Sequence, residues 1–200
     1  MRQVFCLGAS FNPIHHGHLI CARAAAEAAG FDRVRLIPSA SPPHKRAEGL
    51  APAADRLAMT ELAIDSDSLF EVDARELRRH GPSYTLDTVR EFRAEGYDRV
   101  TWLIGADMLA TLATWHESRQ LLQEAQFLIL ARPGWSLAPG QLPEMCRPLL
   151  DCVVAAPLID ISATDIRRRV AADLPIHYLT TPAVCNYIRD RGLYRDASAG

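Results

Sequence analysis

Short apolar runs separated by turn-forming residues recur along the chain, and between them lie longer stretches in which apolar residues return every three or four positions. Val4, Phe5, Cys6 and Leu7 form the first run, which ends at Gly8 and reads as a buried strand. Residues 8–13 (Gly-Ala-Ser-Phe-Asn-Pro) are turn chemistry. From His18 the chain is alanine-rich up to Gly30, where a glycine can take the left-handed position that closes a helix. Residues 34–37 (Val-Arg-Leu-Ile) form a second strand, closed by Pro38. Strand, loop, helix and strand follow one another here, and a crossover of that length implies parallel pairing.

Beyond this unit, residues 39–52 are rich in proline, small and basic residues and predict a long loop, a feature that often carries function. Helix is expected over 53–64, a short strand over 69–72, and helix over 84–94 with Leu86, Val89 and Phe92 on one side. A strand at 100–104 ends at Gly105, with two short helices expected near 107–112 and 116–123. Residues 127–130 read as a strand, 134–148 as a proline-punctuated stretch with a short helix, and 153–156 as the last strand. Two helices, 163–172 and 182–191, precede a tail at 196–200 that should fray. Neither an internal repeat nor a linker interrupts the pattern. The alternation predicts a single α/β domain over residues 1–200: a three-layer, Rossmann-like open parallel sheet flanked by helices.

Composition agrees, with 48% hydrophobic and 23% charged residues, as in a globular chain with a buried core. The formal net charge of −2 supplies no general field for nucleic acid or an anionic membrane. A small anion needs only a local cluster of donors and remains a fitting ligand. The five cysteines are scattered and odd in number, which suits reduced thiols better than a disulfide framework. The N-terminus lacks the apolar core and cleavage site of a secretory signal, and no apolar stretch reaches bilayer length. A cytoplasmic protein with small-molecule partners is the expectation, and a homo-oligomer is compatible with it.

Candidate chemistry gathers at two places. The first is the strand end at Gly8, whose loop leads into a helix starting near Gly17. In an open parallel sheet ligands bind outside the carboxyl ends of the strands, and an incoming helix offers free N–H groups that favour phosphate. His15 and His18, three apart, fall on one face there and can donate to a phosphate chain or carry charge as negative charge builds. The competing reading is a polar surface loop, which three histidines within four residues makes less apt. Zinc would find two ligands in His-x-x-His, but the spacing differs from HExxH and no third ligand is near. The second place is residues 161–167, Ile-Ser-Ala-Thr-Asp-Ile-Arg. Ser162 with Asp165 resembles a capping box at a helix start. Arg167 opposes the dipole in the first turns, which suggests a nearby anion, although an ordinary solvated cap would look the same locally.

Weaker signals lie between them. Lys45, in Pro-Pro-His-Lys, can act as a mobile point charge for phosphate or be an ordinary exposed lysine. Ser83, Tyr84 and Thr85 open a helix whose free N–H groups suit a carboxylate. Asp107, after Gly105, can accept ribose hydroxyls or simply cap a helix. Trp115, followed by His116, can stack on a pyridine ring or belong to the core.

Residues 8–18, GASFNPIHHGH, resemble the G-G-S/T-F-D/N-P-I/V-H-x-G-H signature of the nucleotidyltransferase superfamily, and within it nicotinate-nucleotide adenylyltransferase. The 161–167 segment is similar to that family's I-S-A/S-T-x-I/V-R motif, and Pro-Pro-His-Lys, Ser-Tyr-Thr and Trp-His also match, so the likeness runs from Val4 to about Tyr194. Ala9 departs from the usual glycine, and would be strained if that position needed positive φ. Asn12 stands where Asp is commoner, with the same turn-forming and acceptor roles. The resemblance implies adenylyl transfer from ATP to nicotinate mononucleotide, with Mg²⁺ carried on ATP and no dedicated metal site. It implies catalytic roles for His15, His18 and Arg167. ATP and its phosphates would meet Gly8, Ser10, Phe11, Gly17, Lys45, Gly105, Asp107, Ile161, Ser162 and Thr164. Nicotinate mononucleotide would meet Ala9, Ser83, Tyr84, Thr85, Trp115 and His116. The rival readings are an enzyme of the same superfamily acting on nicotinamide mononucleotide or phosphopantetheine, a cytidylyltransferase, a nucleotide-binding module without turnover, and a zinc hydrolase.

Overall fold

In β1 (Gln3–Ala9), Val4 and Cys6 are buried in one apolar cluster while Phe5 and Leu7 are buried in another. A strand projects alternate side chains to opposite faces, so a run apolar at every position needs a covered sheet on both sides. A computed structural model, which describes residues 1–40, 49–65, 67–131 and 142–195, shows that cover. β2 (Val34–Pro38), β3 (Phe70–Val72), β4 (Arg99–Gly105), β5 (Gln126–Leu130) and β6 (Val153–Val154) join β1 in one sheet of order β3-β2-β1-β4-β5-β6, with every pairing parallel. The open parallel α/β sheet is the architecture the sequence predicts. The order reverses between β1 and β4, and such a switch point leaves a crevice at the strands' carboxyl ends.

On the Phe5 face lie α1 (His16–Ala29), α2 (Ala53–Ile64), α7 (Ala163–Ala171) and α8 (Pro182–Asp190), through Ala22, Met59, Ile166 and Ile188. On the Val4 face lie α4 (Thr85–Ala94), α5 (Leu109–Leu112) and α6 (Ser118–Glu124), through Val89, Leu112 and Leu121. Some boundaries differ from expectation. The last strand is Val153–Val154 rather than 153–156, because only Val153 and Val154 pair with β5. The helix expected from His116 starts at Ser118, since Glu117 takes φ 46°, which no right-handed helix accommodates. A short α3 (Arg75–Arg78) was not foreseen, and the short helix expected within 134–148 takes the form of a 3-10 helix at Glu144–Cys152. The greater part of the loop 39–52, the stretch 132–141 and the tail 196–200 lie outside the described residues. Among the described residues, no helix is long and apolar enough to cross a membrane.

The loop after β1 is held from distant parts of the chain. Arg56 of α2, only 1% exposed, donates to the carbonyls of Ser10 (2.7 Å), Ser39 (2.6 Å), Ala40 (3.1 Å) and Ala51 (3.0 Å). A planar guanidinium suits this task, because its donors diverge in one fixed fork. Asn12 Oδ1 accepts from the Ala51 amide (3.0 Å) and the Tyr194 hydroxyl (2.8 Å), while its Nδ2 donates to the Gly49 carbonyl (2.8 Å). An Asp could not make that last donation. Thr180 donates to the Ile14 carbonyl (2.8 Å), and the His16 amide donates to that of Leu179 (3.0 Å).

These contacts predict a graded loss of stability. Tyr194→Phe removes one hydroxyl while Asn12 Oδ1 keeps its bond from Ala51, and should cost about 1 kcal/mol. Arg56→Met leaves several partly buried carbonyls unpaired together and should cost roughly 3 kcal/mol or more. Urea unfolding midpoints measure both; an Arg56→Met protein as stable as the parent would show that the loop is held by other means.

Candidate active site

A cleft of about 820 Å³ opens at the carboxyl ends of β1, β4 and β5, spanning the switch point. That volume suits an organic ligand of dinucleotide or smaller size. His15, His18, Ser162, Thr164 and Arg167 line one part, and Ser83, Tyr84, Thr85, Trp115 and His116 line another. Gly8, Ala9, Ser10, Gly17, Gly105, Asp107 and Ile161 line it too. The two motifs, about 150 residues apart in sequence, therefore share one cavity.

The histidine loop has defined geometry. His15 is the N-cap of α1, with extended φ and ψ of −151° and 168°, and His18 lies three residues on. The His15 amide donates to His18 Nδ1 at 3.2 Å. That bond exists only while Nδ1 is unprotonated, so the proton of the neutral ring sits on Nε2. The His18 ring stacks on that of His15 with centroids 3.7 Å apart, and lies nearly perpendicular to the Phe11 ring with centroids 5.1 Å apart. Phe11 does not itself line the cleft: it is 1% exposed and belongs to the core beneath His18. Gly17 makes room for this arrangement, since a Cβ there would lie 3.0 Å from His15 Nδ1. The first turn of α1 carries no acidic residue, so nothing of its own neutralises the positive end of the helix.

The second helix start faces the same space. Ser162 caps α7, its hydroxyl accepting from the Asp165 amide at 3.1 Å. Arg167 Nη1 donates to the Asn12 carbonyl at 2.9 Å, and Nη2 to Thr164 Oγ1 at 3.3 Å. One guanidinium thereby bridges the start of α7 and the histidine loop.

At the other end, Tyr84 is the N-cap of α4 and makes no side-chain cap bond. Its ring stacks on that of His116, with centroids 4.0 Å apart. Trp115 packs on the core with its Nε1 buried and, among the described residues, without a hydrogen-bond partner. Ser83 is buried and its Oγ accepts from the Ala40 amide at 3.2 Å. Ala9 carries no positive φ; that conformation falls at Phe11 (φ 43°), so a methyl group at position 9 is unstrained. Lys45 lies outside the described residues.

Sequence reading missed three contributors. Trp102 of β4 lines the cleft and approaches Gly8 so closely that a Cβ there would lie 2.6 Å from its Cζ2. Gly8 read as a strand end beside the phosphates; a glycine ending a strand also signals close approach of another group, here Trp102. Arg56 gave no signal, since a lone arginine in a helical pattern is normally solvated. Glu76, buried and cleft-lining, lies in a charged stretch between 73 and 82 to which the sequence pattern assigned no element.

Known proteins share this pattern. The family profile described as cytidylyltransferase-like matches residues 6–169. A Chromobacterium violaceum protein named "Probable nicotinate-nucleotide adenylyltransferase" is 42% identical, over 96% of this chain and 99% of its own. One of the same name from Roseiflexus is 40% identical, over 94% of this chain and 96% of its own. The solved structure of Plasmodium falciparum nicotinic acid mononucleotide adenylyltransferase complexed with NaAD shares the fold, with a TM-score of 0.76 at 17% identity, covering 97% of this chain and 98% of that one. The cleft and these full-length likenesses agree: the chain belongs to the nicotinate-nucleotide adenylyltransferase family, within the cytidylyltransferase-like proteins.

Proposed function

We propose that this protein transfers the adenylyl group of ATP to nicotinate mononucleotide, giving nicotinate adenine dinucleotide (deamido-NAD) and pyrophosphate, a step of NAD biosynthesis. The observation that carries the reading is the convergence of two helix starts, the histidine pair and Arg167 on one cleft at the switch point. The relatives' shared name supports the choice of acceptor. A 5′-phosphate oxygen of the mononucleotide attacks the α-phosphorus of ATP in line; the bond from that phosphorus to the bridging oxygen breaks, and pyrophosphate leaves. A phosphomonoester is largely ionised at neutral pH, so the attack needs no strong base. Catalysis then rests on alignment and on donors placed where charge builds.

His15, at the base of the loop, is assigned to the α-phosphate. His18, through Nε2–H, joins Arg167 and Ser162 in holding the departing phosphates. Gly8, Ser10, Gly17, Ile161 and Thr164 shape the phosphate path, and Gly105 and Asp107 the ribose. Phe11 supports it from below, and Lys45 is assigned to the phosphates from its loop. The acceptor's carboxylate is assigned to the free amides at Ser83, Tyr84 and Thr85, beside Ala9, with its ring near Trp115 and His116. Mg²⁺ would enter on ATP. The phosphate side of the cleft offers imidazole, hydroxyl and guanidinium donors, and the described residues contain no group of three or more metal-ligating side chains, so the donor set fits an ion held by phosphate oxygens. The free cysteines suit a reducing compartment, and the cytoplasm is the proposed location.

Pyrophosphate release tests the reading directly. ATP with nicotinate mononucleotide should turn over well above ATP with nicotinamide mononucleotide, phosphopantetheine or no acceptor; preference for another acceptor would reject it. His18→Ala should lower kcat by about 10²–10³ while the melting temperature holds, as for loss of a transition-state donor; near-normal turnover would remove His18 from the mechanism. Trp115→Ala should raise KM for the mononucleotide about fivefold, in line with loss of one ring contact, and KM for ATP much less. Equal changes in both would argue against stacking.

A further inference from the structure

Glu76 of α3 is a buried carboxyl to which the chemistry above gives no task. It is 4% exposed and lines the active-site cleft beside Ser83 and Tyr84. Its Oε1 accepts from Thr88 Oγ1 of α4 at 2.8 Å, and the Ser83 hydroxyl also stabilises its charged form. Both hydroxyls flank the helix start at 83–85: Ser83 begins it, and Thr88 lies in the first turns of α4. Ser83 in turn accepts from the Ala40 amide at the end of β2. Glu76 is thus bonded to Thr88, while Ser83, which favours its charged form, is tied to the strand end.

We propose that Glu76 is a positioning residue for the acceptor end of the cleft, holding the helix start at 83–85 in place through its bond with Thr88 of α4. The inference rests on the assignment of that helix start to the acceptor's carboxylate. A carboxylate accepts from the Thr88 hydroxyl in a charge-assisted bond, the stronger kind. A protonated carboxyl carries a donor of its own and is the weaker acceptor for that hydroxyl. The ionised form is therefore the one that orders the site.

Its surroundings set when that form is present. Burial pushes the Glu76 carboxyl up to about 7, Thr88 and Arg79 draw it down, and Glu91 pushes it further up. Arg79 donates to Thr88 at 3.2 Å and to Glu91 at 2.6 Å, and so acts on Glu76 as a neighbouring charge. On the sheet side Cys6 of β1 feels Glu76, and with it Asp73, Arg75 and Arg35. Stability follows from the direction: because folding favours the protonated form, Glu76's contribution is full below the ordinary value of 4.5 and is lost as pH rises through about 7. The site is thus ordered by the form of Glu76 that stabilises the fold less, a trade-off expected of a functional group.

The test is Glu76→Gln, which keeps the shape and removes the titration. Calorimetry measures binding of nicotinate mononucleotide and of ATP to both proteins at pH 6 and pH 8. The ligand phosphate titrates alike in both, so the comparison isolates residue 76. The parent should lose several-fold more acceptor affinity than Glu76→Gln on going from pH 8 to pH 6. At pH 8 the variant should bind the acceptor several-fold more weakly than the parent, with ATP binding within twofold. The variant's melting temperature should exceed the parent's at pH 8 and converge with it at pH 5, which shows that it folds. Thr88→Val should also weaken acceptor binding, and Thr88→Ser should restore it. An identical pH dependence in parent and Glu76→Gln would overturn the proposal, as would equal weakening of ATP and acceptor. A parent that binds ATP but not the mononucleotide at either pH would instead reject the acceptor assignment, and the role of Glu76 with it.

Discussion

The guanidinium of Arg167 donates to the backbone carbonyl of Asn12 across 155 residues of sequence, and the site depends on that contact and its neighbours. The loop between β1 and α1 is braced by distant segments as well as by its own contacts: Arg56 from α2, Arg167 from α7, Thr180 and Leu179 from the turn before α8, and Tyr194 from beyond it. The C-terminal segments thus act as the far wall of a socket whose near wall is the first strand. This arrangement also makes the positive end of α1 accessible, because the loop is braced from behind and the helix start stays open to the cleft.

The polar apparatus follows from that bracing. His18 is fixed by a backbone amide on one nitrogen, by the His15 ring on one face and by a T-shaped contact with Phe11. A side chain constrained three ways pays its ordering entropy on folding, before the ligand arrives, and so contributes to alignment. Gly8 and Gly17 serve the same end by absence of a side chain: one admits Trp102 against the strand, the other admits the His15 ring. The acceptor end is less braced by backbone and more by hydroxyls and aromatic contacts, with Tyr84 on His116 and Thr88 on Glu76.

The fold was legible where local pattern decides it. Doubly buried strands announce themselves as unbroken apolar runs, as at Val4 and Trp102, and α1 and α2 ended where the alanine-rich or amphipathic pattern ended. The short elements were not legible. Four residues suffice for α3, and Glu117 in a left-handed conformation moved the start of α6, a choice made by packing rather than propensity. The motif residues of the site were legible because their spacing carries the chemistry. Asn12 as a hub, Arg56, Tyr194 and Glu76 were not, because their roles lie in contacts between segments 40 to 180 residues apart or in burial that a charged sequence context conceals.

The central claim is that one triphosphate is gripped jointly by the beginnings of α1 and α7. A crystal structure with a non-hydrolysable ATP analogue tests it most directly. The account predicts phosphate oxygens within hydrogen-bond distance of His18 Nε2, of backbone amides at the start of α1, and of Ser162 or Arg167 in the same complex. Phosphates bound outside the cleft, or held by only one of the two helix starts with the other facing solvent, would contradict it.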